Sequence, residues 1–418
     1  KAPSSPEPSP TCSAMESSTP TTTTGKRQVA SYEFKTKSLR NFIENVVDAE
    51  LSDRLLSILA SAAASEKTLD FQDILQRFAF DNICRIAFGY DPEYLKLSTT
   101  TEKNKFVRAF EDATEIISDR FREPSAIIWK IKRRFDIGSE KRLQIAVSEA
   151  RECAKELVRE KNKNKKKMMI MKNSSLESVD NNNDDLLSWF LNSGHSDEEF
   201  LTDIVISFVL AGKDSTSAAL TWFFWLLWKN PRVEEEIVKE IKEKSEAPVY
   251  EEVKEMVYTH AALCESMRLY PPIPSDSKEA VNDDVLPDGT VVKKGMMVRY
   301  HVYTMGRMES IWGRDWAEFR PERWLERVEG GGDGGGNKWK FVGMDPYSYP
   351  VFQAGLRICS GKEMSFMQMK RVVAGIVRRF RVVPAVGKGV EPEFISFLTS
   401  QMKGGFPVNI ISRHQDEA

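Results

Sequence analysis

The sequence predicts a mainly α-helical fold with a small β part, on two patterns. Long stretches place apolar residues at helical spacing, and one region in the C-terminal half alternates and turns as short strands do. No internal repeat is visible. The 418 residues suffice for one large or two ordinary domains with a sizeable buried core. A net charge of −2, from 60 basic and 62 acidic side chains, creates no overall field that favours nucleic acid or an anionic membrane. The five cysteines, Cys12, Cys84, Cys153, Cys264 and Cys359, include no C-x-x-C pair. That argues against a disulfide framework or a structural zinc site and points to a reducing compartment.

Residues 1–26 are rich in Pro, Ser and Thr and nearly devoid of apolar side chains. They are expected to be disordered, and they are neither a signal peptide nor a membrane anchor. The folded part, 27–418, begins at about Arg27. From SYEFKTKSLRNFIENVV to CAKELVRE, amphipathic helices are expected in succession; FQDILQRFAFDNICRIAF places Phe71, Ile74, Leu75, Phe78 and Ile83 at helical spacing. The basic run and Asn/Asp cluster of residues 160–185 break the pattern. They read as a variable surface loop between two helices in preference to a nucleic-acid arm. Ser196 and Glu199 form an S-x-x-E capping box that opens a segment running to Lys229–Pro231. A helix of that length spans about 50 Å. Ile204 to Trp228 is long enough to cross a membrane, but an Asp and a Lys at its centre would be costly there, so a buried helix through a soluble core is expected. Two shorter helices follow Pro231, the second being VYTHAALCESMRLY. DDVLPDGTVVKKGMMVRYHVY then reads as strands around Pro-Asp-Gly. Residues 329–338 hold a flexible Gly-rich insert, and a last helix is expected from about Lys362 to Phe380.

Three motifs bear chemistry. In FQAGLRICSG, Cys359 stands between Gly355 and Gly361. A free cysteine is commonly a small buried hydrophobe. It can also be a Cys–His nucleophile, although none of His195, His260, His301 and His414 has a matching context. The third reading is a thiolate metal ligand: glycines let the backbone approach a flat cofactor, a helix N-terminus lowers the thiol pKa, and Arg357 can grip a carboxylate on the cofactor. In AGKDSTS, Gly212 inside a helix costs about 1 kcal/mol relative to Ala. A close-packed planar ligand would give a reason, and Asp214, Ser215 and Thr216 stand beside the gap as groups able to relay protons; the alternative is a polar notch at a helix crossing. In ESMR, Glu265 and Arg268 form an i,i+3 pair, a weak signal until FRPERW offers Arg323 as a third partner for a costly but geometry-fixing buried network.

In this order, and with F-x-x-G-x-R-x-C-x-G matched at Phe352, Gly355, Arg357, Cys359 and Gly361, the sequence resembles the cytochrome P-450 superfamily. Stretches such as QRFAFDNICRIAFGYDP, DIVISFVLAGKDSTSAALTWFFWLL and VYTMGRMESIWGRDWAEFRPERWL are similar to the plant family 94 and its B subfamily. The resemblance covers roughly Arg27 to Ile411. It implies the cytochrome P-450 fold, haem b held by Cys359 as proximal thiolate, and Arg357 and Arg27 as contacts to the haem propionates. Ala211 and Gly212 would give room on the distal side, Asp214 and Ser215 would supply protons, and Glu265, Arg268 and Arg323 would lock the segment before the cysteine loop. The implied reaction uses O2 and electrons from NADPH through a cytochrome P-450 reductase to hydroxylate the terminal or near-terminal carbon of a small lipophilic carboxylate. That substrate is a fatty acid or a jasmonoyl–amino acid conjugate. Phe208, Ile273, Ser275, Phe397 and Leu398 are pocket candidates and equally ordinary core. The implied location is the cytosolic face of the endoplasmic reticulum membrane.

The chain departs from the family pattern in several places. Ser215 stands where Thr is usual, Leu356 where Pro is usual before the arginine, Ser360 where an apolar residue follows the ligand, and Ser275 where the pocket is usually apolar. The family's anchor, first strands, early helices and first substrate-recognition loop should precede Arg27, where only 26 residues stand, and Thr23 falls where the W-x-x-x-R tryptophan is expected. Two readings therefore stand: a haem-thiolate monooxygenase given by an N-terminally truncated sequence, or an inactive fragment without catalytic role.

Overall fold

Apolar spacing becomes helix along most of the chain. The structure, a computed structural model, describes residues 40–413 apart from 41, 97–104, 123–125, 173–184, 193–196, 329–338, 388 and 397. Arg27, Phe397 and the capping-box Ser196 lie outside the described residues, as do the Pro/Ser/Thr-rich start and the Gly-rich insert 329–338. Helix α1 (residues 42–65) buries Val47, Leu51, Leu55 and Leu59, a stripe at a strict spacing of four. An α-helix of 3.6 residues per turn would rotate such a stripe off one face. The chain answers with wider π-helical turns at Phe42–Val47 and Leu51–Leu55, which hold it in line.

Strand β1 (Leu69–Asp70) leads into α2 (Phe71–Phe88). Helices α3 (Lys105–Arg122) and α4 (Gly138–Lys172) pack together, with the shorter helix Ala126–Arg134 between them in sequence. Leu143, Ala146, Ala150, Ala154 and Val158 form the buried seam of α4. The loop expected from residue 160 therefore starts later, because α4 continues to Lys172. Lysine is a good helix former, and two of these lysines are anchored. Lys161 donates to Phe88 O at 3.1 Å and pairs with Asp185, and Lys165 donates to Leu191 O at 2.8 Å.

The long helix α5 (Glu198–Lys229) is one element, as its pattern predicts. Asp197 caps its start, its carboxylate accepting the Glu199 N–H at 3.1 Å and its carbonyl the Leu201 N–H at 3.1 Å. Among the described residues it is the helix long and apolar enough to cross a membrane, and 61% of its most apolar window is buried within the protein. Helix α6 (Val257–Leu269) is buried on nearly every side. Strands β2 (Asp276–Glu279) and β3 (Met297–Tyr300) pair antiparallel, Asp276 opposite Tyr300, and enclose a smaller ladder turning at Pro287-Asp288-Gly289. Strands β4 (Leu325–Arg327) and β5 (Trp339–Phe341) also pair antiparallel, flanking residues 329–338. Helix α7 (Lys362–Arg379) runs into β6 (Phe380–Pro384), followed by β7 (Phe394–Ser396), β8 (Ser400–Met402) and β9 (Pro407–Ser412). β9 lies between β1 and β6 in a three-stranded antiparallel sheet, and β7 pairs with β8.

The chain divides into two units, one of residues 59–72 and 218–413 and the other of 40–58 and 73–217. The first is centred on stacked aromatics: Trp222 lies 4.0 Å from Tyr270 with their planes 1° apart, and Phe394 tilts against both. It holds the sheet β1–β9–β6 and the helices α6 and α7. The second holds α3, α4 and the first part of α5, the last two joined by Arg151 of α4 to Asp203 at 2.8 Å and to Glu199 at 2.6 Å.

Candidate functional site

The cysteine loop is built from two short 3-10 turns, Pro350–Phe352 and Gly355–Arg357, that fold the chain back before α7. The Cys359 N–H donates to Phe352 O at 2.7 Å and the Ile358 N–H to Gly355 O at 3.2 Å, which closes the loop upon itself. Gly355 has φ +60, a left-handed conformation in which a side chain would be strained. Gly361 is the N-cap of α7, and a Cβ placed there would face the Cys359 sulfur at 3.9 Å. The Phe352 ring packs 5.1 Å from Phe366, and the Lys362 ammonium lies 5.9 Å from its centre.

Cys359 is exposed, whereas Cys84 and Cys264 are buried and Cys153 is half-buried. Burial pushes the Cys84 and Cys264 thiols up, so those two are inert. The buried-hydrophobe reading therefore fits Cys84 and Cys264 and does not fit Cys359. The Cys–His reading gains nothing from His260, whose ring is enclosed by Phe366 at 4.1 Å and Phe341 at 4.4 Å. Burial and the Lys370 charge push its pKa down to about 3, so it stays neutral. Arg357, two residues before the cysteine, is exposed, and Leu356 is 97% exposed. A sulfur presented beside glycines at a helix N-terminus, with an exposed arginine two residues before it in the chain, has the donor chemistry that a haem requires.

Glu265, Arg268 and Arg323 meet in the same unit. Glu265 is fully buried and accepts from Arg268 Nε and Nη2, each at 2.8 Å, and from Arg323 Nε at 3.1 Å. The Arg320 N–H at 3.1 Å and the Trp324 indole N–H at 3.0 Å complete its shell. Arg268, equally buried, spends its remaining donors on the carbonyls of Gly306 at 2.5 Å, Trp316 at 2.8 Å and Glu318 at 3.0 Å. The motif E-x-x-R did not reveal Asp315, which takes Arg323 Nη1 at 2.9 Å, or Tyr349. The Tyr349 hydroxyl donates to Cys264 O at 2.9 Å and so fastens the start of the cysteine loop to α6 next to Glu265. By contrast, Arg159, which with Glu156 in ELVR also satisfies E-x-x-R, pairs on the surface with Glu198 and Glu152, at 2.7 and 3.0 Å.

The AGKDSTS motif lies on α5 in the other unit. Gly212 has a reason that the sequence did not show: a Cβ there would stand 2.6 Å from Ile83 Cδ1 of α2, so the glycine makes room for that side chain. Ala211 is exposed. Lys213 is almost wholly buried, 3.0 Å from Asp214 and 3.9 Å from Glu111 of α3, and these carboxylates raise its pKa against burial. The Ser215 hydroxyl donates to Ala211 O at 2.6 Å, while Thr216 is buried. Of the pocket candidates, Phe208 and Leu398 are half-buried and Ile273 is 44% exposed. The Ser400 N–H donates to Pro272 O at 2.8 Å, which sets the segment of Leu398 beside that of Ile273. Ser275 turns its hydroxyl to Tyr300 O at 3.4 Å.

A family model described as Cytochrome P450 matches residues 11–407. The chain belongs to the cytochrome P450 family. Cytochrome P450 94A1 of Vicia sativa is 68% identical over 93% of this chain and 72% of its own length. Cytochrome P450 94A2 of Vicia sativa is 61% identical over 93% of this chain and 73% of its own length, and Cytochrome P450 94B1 of Arabidopsis thaliana 45% over the same shares. These relatives place the chain in family 94, and identity is higher to the two proteins named 94A than to the one named 94B. As a member of the P450 family it is a monooxygenase with haem-thiolate and O2 chemistry, a redox partner that supplies electrons, and a small-molecule substrate.

Proposed function

We propose that this P450 hydroxylates the terminal or near-terminal carbon of an aliphatic carboxylate, a fatty acid or a jasmonoyl–amino acid conjugate. Electrons come from NADPH through a cytochrome P450 reductase at the cytosolic face of the endoplasmic reticulum. The observation that supports the chemistry is the exposed Cys359 sulfur beside Gly361, on a loop closed by the bond from Cys359 N–H to Phe352 O. Bound there, haem b would supply the iron, whose thiolate ligation favours O–O bond cleavage. Cys359 would be its ligand, and Arg357, exposed two residues away in the chain, would offer its guanidinium to a propionate. Asp214 and Ser215 move protons: the Lys213 ammonium 3.0 Å away keeps the Asp214 carboxylate oriented, and the Ser215 hydroxyl is parked on Ala211 O. The candidate pocket residues Phe208, Ile273, Ser275, Phe397 and Leu398, like the substrate class, rest on the likeness to family 94.

The test is spectroscopic before it is enzymatic. The full chain is loaded with haem, reduced and exposed to carbon monoxide, and the red-shifted Soret band of thiolate-ligated haem is expected. Its loss in Cys359→Ser is expected as well. Absence of the band in the unaltered chain would overturn the reading and leave an inactive fragment. With the band present, turnover of lauric acid or of jasmonoyl-isoleucine with NADPH and reductase decides between the two substrate classes; failure of both sinks the proposed substrate.

A further inference from the structure

The residue after Phe352 carries the strongest backbone outlier of the cysteine loop. Gln353 has φ 63 and ψ 175. That corner of conformational space is essentially reserved for glycine, costs about 1–3 kcal/mol for other residues, and persists only where the surroundings over-determine it. Glu66, Glu93 and Asp136 also have positive φ, but none of them lies in a chemistry-bearing motif.

What over-determines Gln353 is visible in its side chain. Its amide nitrogen donates to Asp276 Oδ2, and its amide oxygen accepts the Tyr300 hydroxyl at 2.5 Å. Tyr300 OH also lies 2.8 Å from the same Asp276 oxygen, and Lys278 Nζ reaches it at 3.1 Å. Asp276 and Tyr300 face each other across the first pair of the β2–β3 hairpin. The clamp is therefore preassembled by strand register, independently of the loop it holds. Tyr300 has one hydroxyl proton for two acceptors, so it donates to Gln353 Oε1 or to Asp276 Oδ2 in turn, while Asp276 Oδ2 accepts from the Gln353 amide and from Lys278. Asp276 and Gln353 are half-buried, which strengthens such charge-assisted bonds over their value in open water.

We propose that Asp276 and Tyr300 are positioning residues for the cysteine ligand: by gripping Gln353 they hold its strained backbone and thereby set the point from which the Phe352 carbonyl receives the Cys359 N–H. This rests on the reading of Cys359 as the haem thiolate. The chain of contacts is short, because Phe352 O accepts from Cys359 N–H at 2.7 Å and is bonded through its own carbonyl carbon to the nitrogen of Gln353. A backbone flip at Gln353 would swing that carbonyl away from the sulfur-bearing residue. The loop also carries Leu356 where proline is usual in the resemblance set out above, so its stiffness must come from elsewhere, and the clamp supplies it.

The experiment is a double-substitution cycle. Asp276→Asn and Tyr300→Phe are each made in the full chain and again in a Gln353→Gly background, where the glycine adopts the same backbone without strain. Two quantities are read: hydrogen exchange of residues 352–361 in the haem-free chain, and the partition of the ferrous carbon monoxide Soret band between thiolate and non-thiolate positions after haem loading. In the Gln353 chain each substitution is expected to speed loop exchange about tenfold and to lower the thiolate fraction, because a bond to a charged group is lost. In the Gln353→Gly background neither substitution is expected to change either readout further. Equal effects in both backgrounds would show that the hairpin matters only for folding and would overturn the proposal, as would no effect in the Gln353 chain. If the unaltered chain shows no thiolate band while the exchange cycle behaves as expected, the haem reading falls and the clamp stands.

Discussion

Ser215 keeps a hydroxyl on the helix that carries Asp214, but without the methyl that restricts a threonine rotamer. Its hydroxyl finds a comfortable partner in Ala211 O at 2.6 Å. In the proton-relay role proposed for it, a hydroxyl parked in its own helix groove is expected to waste reduced oxygen. Ser215→Thr should lower the peroxide released per product by about twofold or more, measured with reductase and NADPH. Glu265 is a residue of a different kind, since its carboxylate has five donors and no exposure. Glu265→Ala would strand the buried Arg268 charge and is expected to cost about 3–5 kcal/mol in urea unfolding, with Glu265→Gln losing less. The Glu265–Arg268 pair was legible in the sequence because i,i+3 spacing puts both on one helix face. Gly212 was legible as an anomaly only. Its explanation, Ile83, lies on another helix about 130 residues away in sequence, and no local pattern reports such a contact.

Among the elements, the join between α1, α2 and the turn Tyr94–Lys96 carries an unusual charge cluster. Glu50 and Asp81 are fully buried, and Asp81 receives the N–H groups of Tyr94 at 3.0 Å and Leu95 at 2.8 Å. Arg54 sits in the middle, 2.7 Å from Glu50 and 2.6 Å from Asp91, with Arg85 at 3.4 Å from Glu50 and Glu93 at 3.4 Å from Arg54. Its guanidinium occupies the place a cation would take. Burial drives the Asp81 pKa up to about 7 and raises that of Glu50, so this pair holds a proton in the folded state that the unfolded chain has given up. A raised folded pKa means stability that is complete below the unfolded value of 3.8 and lost as pH rises through about 7. Unfolding free energy is expected to fall by about 3 kcal/mol between pH 5 and pH 8, and Asp81→Asn should flatten that slope in denaturant titrations at each pH. None of this was readable beforehand, because the carboxylates come from three separate elements. The helices themselves were legible from spacing alone. The π-helical turns of α1 were not, since a four-residue stripe looks helical whichever way the backbone accommodates it.

At the scale of the molecule, haem should act as a folding ligand for the chain that presents Cys359. Loading at a hundredfold excess over its dissociation constant is expected to add about 2.7 kcal/mol of apparent stability. Cys359→Ala should lose most of that increment in a thermal melt while changing the haem-free melt little, because the residue is exposed. The mainly helical architecture and the order of motifs were visible from the sequence. The β pairings that join distant segments, such as β1 with β9, were not, because register between strands more than 300 residues apart leaves no local trace.

Gly306 has an ordinary helical φ of −64, yet a Cβ there would stand 2.1 Å from the carbonyl oxygen of Arg268, and its own carbonyl is taken by the guanidinium of that same arginine. The two backbones are in contact with no room between them. Every single-base change that alters this codon's residue therefore inserts atoms where none fit. In a saturation library this position should be among the emptiest of the described residues, with Ala excluded as firmly as Arg, while Leu356, a few dozen residues on and open to solvent, accepts nearly anything.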